Sequence, residues 1–111
     1  MPLTRGFKQT IQDRAQRDSK FREELFKEGI QCLLSGDMET GKSILRDYIN
    51  STLGFQELSA LTQTPAKSLM RMFSATGNPQ ARNLFEVISR LQEQEGIRFR
   101  IDLERHGAQR A

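Results

Sequence analysis

Apolar residues recur every three or four positions through most of the chain, and glycine or proline interrupts the pattern at short intervals. This spacing places apolar side chains on one face of an α-helix. The stripe is clearest from Phe21 to Leu34, where Asp18 offers an N-terminal cap and Gly36 a stop. Further stripes lie over residues 7–17, 44–53, 55–62, 65–73 and 79–95. We therefore expect an all-α domain of five to six helices.

Two of these helices begin with the same local signal, a polar residue followed by proline. Thr64 precedes Pro65, and Asn78 precedes Pro79. Proline is favoured at the first helical position, and a polar residue before it can act as the N-cap. We expect Thr64 and Asn78 to cap the helices that follow them.

Near the C-terminus the spacing of the apolar residues changes from every three or four positions to every second position. Over residues 97–103, Ile97, Phe99, Ile101 and Leu103 alternate with charged residues, the pattern of a half-buried β-strand. The chain has no second strand of this kind, so a single strand would keep an unpaired edge. We expect it to pair with its copy in a homodimer. The alternatives are packing on the helices alone or pairing with a short N-terminal segment.

The composition narrows the classes of function. The chain has 111 residues, enough for one modest core, and a formal net charge of +3 that is compatible with a polyanionic partner. Cys32 is the one cysteine and His106 the one histidine. We therefore expect no disulfide, no metal site and no Cys–His catalytic pair.

The distribution of apolar and acidic residues indicates where the protein acts and whether it is an enzyme. The N-terminus lacks an apolar run, and no stretch is long enough to span a membrane, so we expect a cytoplasmic protein with no membrane contact. Glu23, Glu24 and Glu28 have the spacing of a solvated helix face, not of a paired catalytic acid and base. We expect neither enzyme activity nor a cofactor.

Residues 36–43 fit the pattern GxxxxGK[ST], which cradles nucleotide phosphates when it joins a strand to a helix. Here the preceding segment has helical periodicity, and Asp37 and Glu39 would add negative charge to the loop. We therefore expect a turn between two helices, in which Gly36 is the helix stop and Lys42 lies on the surface. A nucleotide-binding protein that uses residues 36–43 is a remote alternative.

Residues 57–73 have the spacing of two short helices joined by a tight turn. Ser59 is small at the point where the first helix must admit the second. Leu58 and Leu69 are spaced to meet between the two helices. This arrangement predicts a helix-turn-helix, in which the second helix enters the major groove of DNA.

The outer face of that second helix carries Ala66, Lys67, Met70 and Arg71. Lys67 and Arg71 can donate to guanine O6 and N7, and Arg71 can do so with both arms of its guanidinium. Ala66 and Met70 can contact the methyl group of thymine. We predict that these residues read DNA bases.

Polar residues around the unit are candidates for contacts with DNA phosphates. Gln56 stands near the start of the first helix, and Asn78 near the start of the helix that follows, whose free amides can bind a phosphate. The full predicted phosphate set is Gln56, Ser68, Ser74, Thr76 and Asn78.

Residues 55–92 resemble the phage-repressor class of helix-turn-helix, as found in regulators of the xenobiotic-response-element type. Gln63 stands at the turn position that usually holds glycine, so it must adopt the same backbone or shift the turn. Over about residues 4–103 the chain is similar to addiction-module antidote (antitoxin) proteins. The similarity is carried by FKQTIQDRAQRDSKF, by GFQELSALTQTPAKSLMRMFSATGNPQARNL and by the C-terminal strand. It implies a protein that binds the operator of its own operon and neutralises a toxin, often an mRNA-cleaving ribonuclease.

The sequence thus predicts a homodimeric, sequence-specific transcriptional regulator, an antitoxin-like autorepressor that binds double-stranded DNA at an inverted repeat. The alternative is a protein-interaction module whose N-terminal helices, with Arg5, Lys8, Arg14 and Arg17, bind a toxin or another regulator. The predicted organisation is a single compact domain. Its parts are the N-terminal helices (1–53), the helix-turn-helix DNA-binding unit (54–96), the C-terminal strand (97–103) and a frayed tail (104–111).

Overall fold

The computed structural model describes the backbone of residues 3–107 and the side chains of residues 6, 7 and 9–107. The predicted basic residues Arg5 and Lys8 and the last residues of the tail, 108–111, therefore lie outside the described side chains. The elements are α1 (Leu3–Arg17), α2 (Ser19–Leu34), α3 (Met38–Ser51), α4 (Gly54–Thr62), α5 (Ala66–Met72) and α6 (Ala81–Glu95). The predicted all-α class is confirmed.

The N-terminal layer is α1, α2 and α3, which pack on one another. Aspartate caps begin two of these helices: Asp18 accepts from Phe21 N at 3.1 Å and Asp37 from Thr40 N at 3.2 Å. Each bond satisfies one of the amides that a helix leaves free in its first turn. The hydrogen bond from Phe21 N is the main reason that the pKa of Asp18 lies below its usual value.

Glycine allows α2 and α3 to approach closely. A Cβ built on Gly41 would lie 2.6 Å from Leu33 Cδ2 and 3.2 Å from Gly29 O. A contact of 2.6 Å is shorter than carbon atoms tolerate, so a larger residue would displace the Leu33 side chain and crowd the Gly29 carbonyl. Gly41, which stands in the GxxxxGK[ST] pattern, is therefore explained by helix packing.

One hydrophobic core joins this layer to α4, α5 and α6. Full burial of each such side chain contributes roughly 1.5–3 kcal/mol relative to exposure, so this cluster is the main source of stability. Phe26 stacks on Tyr48 with ring centroids 4.5 Å apart. The largest fully buried side chains are Tyr48, Phe26, Phe73, Leu45, Ile49, Leu58, Leu69, Leu91 and Val87.

A polar network fastens the end of α6 to the N-terminal layer. Arg22 Nε donates to both Glu95 carboxylate oxygens at 3.0 and 3.1 Å, and Arg22 Nη1 donates to Ala15 O at 2.9 Å. Tyr48 OH donates to Glu95 Oε1. Burial, followed by the hydrogen bond and charge of Glu95, raises the pKa of Tyr48 well above its usual value. The network thus links all three N-terminal helices to α6.

The predicted C-terminal strand is wrong. In the described part of the segment, residues 97–107, the backbone forms no strand. Phe99 N donates to Gln92 Oε1 at 2.8 Å, and the Phe99 ring packs edge-on against Phe26, while Ile101 and Leu103 are 80% and 97% exposed. Of the four alternating apolar residues, Ile97 and Phe99 pack against the core. Within residues 3–107, the backbone has no neighbouring strand to complete a ladder.

The predicted helix starts are displaced by one or two residues. Helix α5 begins at Ala66 with Pro65 as its N-cap, so Thr64 does not cap it. Helix α6 begins at Ala81 with Gln80 as its N-cap, so the prediction that Asn78 caps this helix is wrong. At both places the proline lies before the helix and not at its first position.

Candidate nucleic-acid interface

Helix α4, a three-residue turn and helix α5 form a compact helix-turn-helix unit. Gln63 ends α4 in the left-handed conformation, with φ 57° and ψ 36°, and its amide donates to Ser59 O at 2.8 Å. In the described chain it is the one residue other than glycine with positive φ. Of the two outcomes predicted for Gln63, it thus adopts the backbone that glycine usually supplies, at a modest conformational cost.

Ser59 connects α4 directly to the turn. Its hydroxyl donates to Thr64 O at 2.6 Å. A small residue is needed here for packing, and serine also satisfies a turn carbonyl that helix hydrogen bonds do not reach. The sequence indicated the small size but not the hydrogen bond.

The packing of α5 determines which of its side chains face solvent. Leu69 is fully buried against the core that contains Leu58. The opposite side therefore carries the predicted base-reading residues. Lys67 and Arg71 are exposed, Met70 is 47% exposed and Ala66 is half-buried. Met70 is one of seven large apolar side chains that are exposed in the described part of the chain.

Lys67 and Arg71 are available for an external partner. They are four residues apart, so they project from the same side of α5. Neither side chain forms an ion pair or hydrogen bond with any other residue in the described part of the chain. Both charges are therefore free to meet an anionic ligand.

An open cleft of about 350 Å³ lies between α5, the loop that follows it and the start of α6. It gathers four of the predicted site residues, which carry hydroxyl, amide and guanidinium donors suited to phosphate oxygens. Two more amide side chains line the same cleft and were not predicted, because their position depends on where α6 begins. The predicted members are Ser68, Arg71, Thr76 and Asn78, and the additional ones are Gln80 and Asn83.

The other two predicted phosphate residues lie elsewhere. Gln56 is exposed in the first turn of α4 and does not line the cleft. Ser74 is half-buried and lines a separate hollow. Its hydroxyl donates to Arg71 O at 2.8 Å, which engages that proton within the end of α5.

Lys42 contradicts the prediction that it lies on the surface. It is only 5% exposed, and its ammonium donates to Ser74 O at 3.0 Å and to Gly77 O at 2.6 Å. Residues 36–43 follow helix α2 and form a turn and the start of α3. The ammonium that a phosphate-binding loop would direct at a nucleotide is here bonded to backbone carbonyls.

The described side chains include no group of three or more His, Cys, Asp or Glu residues that could hold a metal ion. In the same part of the chain, no helix combines the length and apolar character needed to cross a bilayer. Comparison with protein-family models, with curated proteins and with solved structures finds no match to this chain.

Proposed function

We propose that the chain is a sequence-specific DNA-binding regulator of transcription whose helix α5 enters the major groove. The observation that carries the proposal is the outer face of α5. Two cations without internal partners, Lys67 and Arg71, project from it beside the exposed Met70. In this orientation Arg71 and Lys67 donate to guanine O6 and N7, while Met70 and Ala66 contact thymine methyl groups.

The cleft beside α5 supplies the sequence-independent part of binding. Ser68, Thr76 and Asn78 line it together with the Arg71 guanidinium. A phosphate seated there receives hydrogen bonds from the hydroxyl and amide donors of these residues. Such contacts fix the register of α5 on the duplex, so that base contacts can discriminate between sequences.

The resemblance of the sequence to antitoxin proteins leads us to a more specific proposal about the kind of regulator. We propose a cytoplasmic homodimer that binds an inverted repeat in the operator of its own operon and represses it. Two apolar residues of the segment that was predicted to form a strand, Ile101 and Leu103, are exposed and belong to the proposed dimer surface. A partner toxin is a further element of this proposal.

The decisive experiment is fluorescence anisotropy with a labelled duplex from immediately upstream of the coding sequence, compared with a shuffled duplex over a salt series. The wild-type protein should bind the upstream duplex more tightly, and both affinities should fall as salt rises. Lys67→Ala and Arg71→Ala should each cost about 1–3 kcal/mol on the upstream duplex and reduce its advantage over the shuffled one. Lys27→Ala, which removes an exposed lysine from α2, is the matched control. Equal losses on both duplexes would contradict base reading.

A second candidate function is supported by the surface of α1. Phe7 is exposed there, and Arg14 and Arg17 are exposed on the same helix. A helix surface with an exposed aromatic residue and exposed cations is suited to a protein partner, as expected for a module that binds a toxin or another regulator. Phe7→Ser should then abolish co-purification of a native partner while DNA binding is unchanged. Loss of DNA binding instead would assign α1 to the DNA interface.

A further inference from the structure

Lys42 is a charged residue in a place where charge is costly. Its side chain runs from α3 toward the loop after α5, and the residue is 5% exposed. A buried ammonium is tolerated only when hydrogen-bond acceptors replace its water. Ser74 O at 3.0 Å and Gly77 O at 2.6 Å are those acceptors. A lysine that merely filled space would be replaced without loss by an apolar residue.

Arg46, one turn further along α3, makes a related contact. Its Nη1 donates to Phe73 O at 3.3 Å, and Phe73 is the C-terminal cap residue of α5. The last carbonyls of a helix lack partners within the helix and carry the negative end of its dipole. Two cations from one helix therefore neutralise and fix the end of α5 and the loop that follows.

The loop also packs directly against α5, at Gly77. A Cβ built on this residue would overlap Arg71 O and would lie 2.8 Å from Met72 O. The loop backbone is thus pressed against the last turn of α5, while Lys42 binds its carbonyls from α3. Contacts from both directions leave the loop little freedom to move.

We propose that Lys42, assisted by Arg46, is a positioning residue of the DNA-binding site. It holds the loop over residues 74–77 so that Thr76 and Asn78 stand across the cleft from Ser68 and Arg71. This inference rests on the proposed function, because it assigns Lys42 a role in DNA binding without contact with DNA. It also explains the GxxxxGK[ST] pattern, in which the lysine binds carbonyls and not phosphate.

In the hollow that Lys42 lines, the cations are already hydrogen-bonded to backbone carbonyls. The hollow measures about 300 Å³, and Ser43 and Arg46 line it as well. Glu39 also lines it, and the Phe73 and Ser74 carbonyls accept hydrogen bonds from Arg46 and Lys42. A phosphate there would have to displace these carbonyls from the two cations and would share the hollow with the acidic Glu39. We therefore assign to the Lys42 ammonium the role of holding the loop, and not of binding an anion.

The test compares Lys42→Met with Lys27→Met in the full-length protein. Both variants lose one positive charge, but Lys27 is exposed on α2. Methionine keeps the apolar stem of Lys42 and removes only the ammonium. Affinities for the upstream and shuffled duplexes are measured across salt, at a temperature where both variants are folded. Hydrogen exchange of the Ser74 and Gly77 amides, which are bonded to Arg71 O and Ser74 O, reports the loop directly.

We expect Lys42→Met to bind the upstream duplex about tenfold or more weakly, since hydrogen bonds to a charged donor are lost. Its preference over the shuffled duplex should fall, and the two loop amides should exchange faster. The slope of log K against log salt should match that of the wild type, because Lys42 neutralises no phosphate. Lys27→Met should behave as the wild type in every readout. A slope reduced by about one would instead make Lys42 a direct phosphate contact and overturn the inference.

The outcomes separate the two proposals. If the wild type discriminates between the duplexes and Lys42→Met discriminates equally well, the positioning role is refuted and the proposed function stands. If the wild type does not discriminate, the proposed function is refuted, and the positioning role in DNA binding is refuted with it. Should Lys42→Met fail to fold, Arg46→Gln is the second variant. It removes the longer hydrogen bond, from Arg46 Nη1 to Phe73 O, which lies directly before the same loop. Arg46→Gln should then weaken the upstream complex with an unchanged salt slope, and wild-type behaviour would refute the inference.

Discussion

Glu95 at the end of α6 provides the most direct test of how this fold is held together. Its carboxylate accepts from Tyr48 OH and from Arg22 Nε, and its side chain is 7% exposed while that of Arg22 is 22% exposed. We predict that Glu95→Ala destabilises the protein far more than a typical substitution of a glutamate. The truncation leaves a buried hydroxyl without its acceptor and a half-buried guanidinium without its counter-ion.

The expected magnitude follows from those two losses. A hydrogen bond to a charged group contributes about 1.5–3 kcal/mol when its partner is buried, as Tyr48 is. The ion pair with Arg22 lies between the ~0–1 kcal/mol of an exposed pair and the ~3–5 kcal/mol cost of breaking a buried one. We take about 1–2 kcal/mol for it, because Arg22 keeps some solvent and its bond to Ala15 O. The sum is about 2.5–5 kcal/mol, or a Tm lower by ~10–20 °C at ~4 °C per kcal/mol.

The assay is urea denaturation followed by far-UV circular dichroism at pH 7, with Glu93→Ala as the control. Glu93 lies in the same last turn of α6, but its side chain is 62% exposed and it pairs with the exposed Arg90. Its loss should therefore cost less than ~1 kcal/mol. The midpoint for Glu95→Ala should fall strongly at an unchanged m-value. If the two variants unfold within ~1 kcal/mol of each other, the network is not a stabilising element and the reasoning fails.

Two further predictions concern the core and a helix cap. Leu69→Ala should cost about 2–5 kcal/mol, because Leu69 of α5 is fully buried in the core, whereas Met70→Ala should leave the urea midpoint nearly unchanged. Asp18→Ala should lower the Tm at pH 7. Because the hydrogen bond from Phe21 N depresses the pKa of Asp18, its stabilisation is present above the usual value near 3.8 and is lost as pH falls through the lower, folded value. A difference in Tm that does not shrink at low pH would contradict this assignment.

The helices could be predicted because their determinants are local. The apolar stripe from Phe21 to Leu34, the Asp18 cap and the Gly36 stop all act within a few residues of the backbone they shape. The exposed face of α5 followed for the same reason. Once Leu69 is assigned to the core, helical geometry places Lys67 and Arg71 on another side.

What could not be predicted depends on contacts between distant residues. The two carbonyls that accept from Lys42 are 32 and 35 residues away in the sequence, and no local pattern indicates that a lysine will be buried against them. The alternation over residues 97–103 led to a wrong prediction for a related reason. Its local pattern suits a strand, but a strand also needs a neighbouring backbone, which the described part of the chain does not supply. Gln80 and Asn83 entered the cleft only because α6 starts at Ala81.

Helix α3 connects the two polar networks and thereby links the N-terminal helices to the helices that carry the proposed DNA-binding surface. Lys42 near its start holds the loop after α5, and Tyr48 near its end binds Glu95 of α6. The same Glu95 binds Arg22, which reaches back to Ala15 O in α1. Removal of α1 would therefore take away a partner of the network that positions α6, whose first residues border the cleft. Point variants on the surface of α1, such as Phe7→Ser, can test the proposed partner binding separately from the proposed DNA binding, whereas truncation of α1 would also disturb that network.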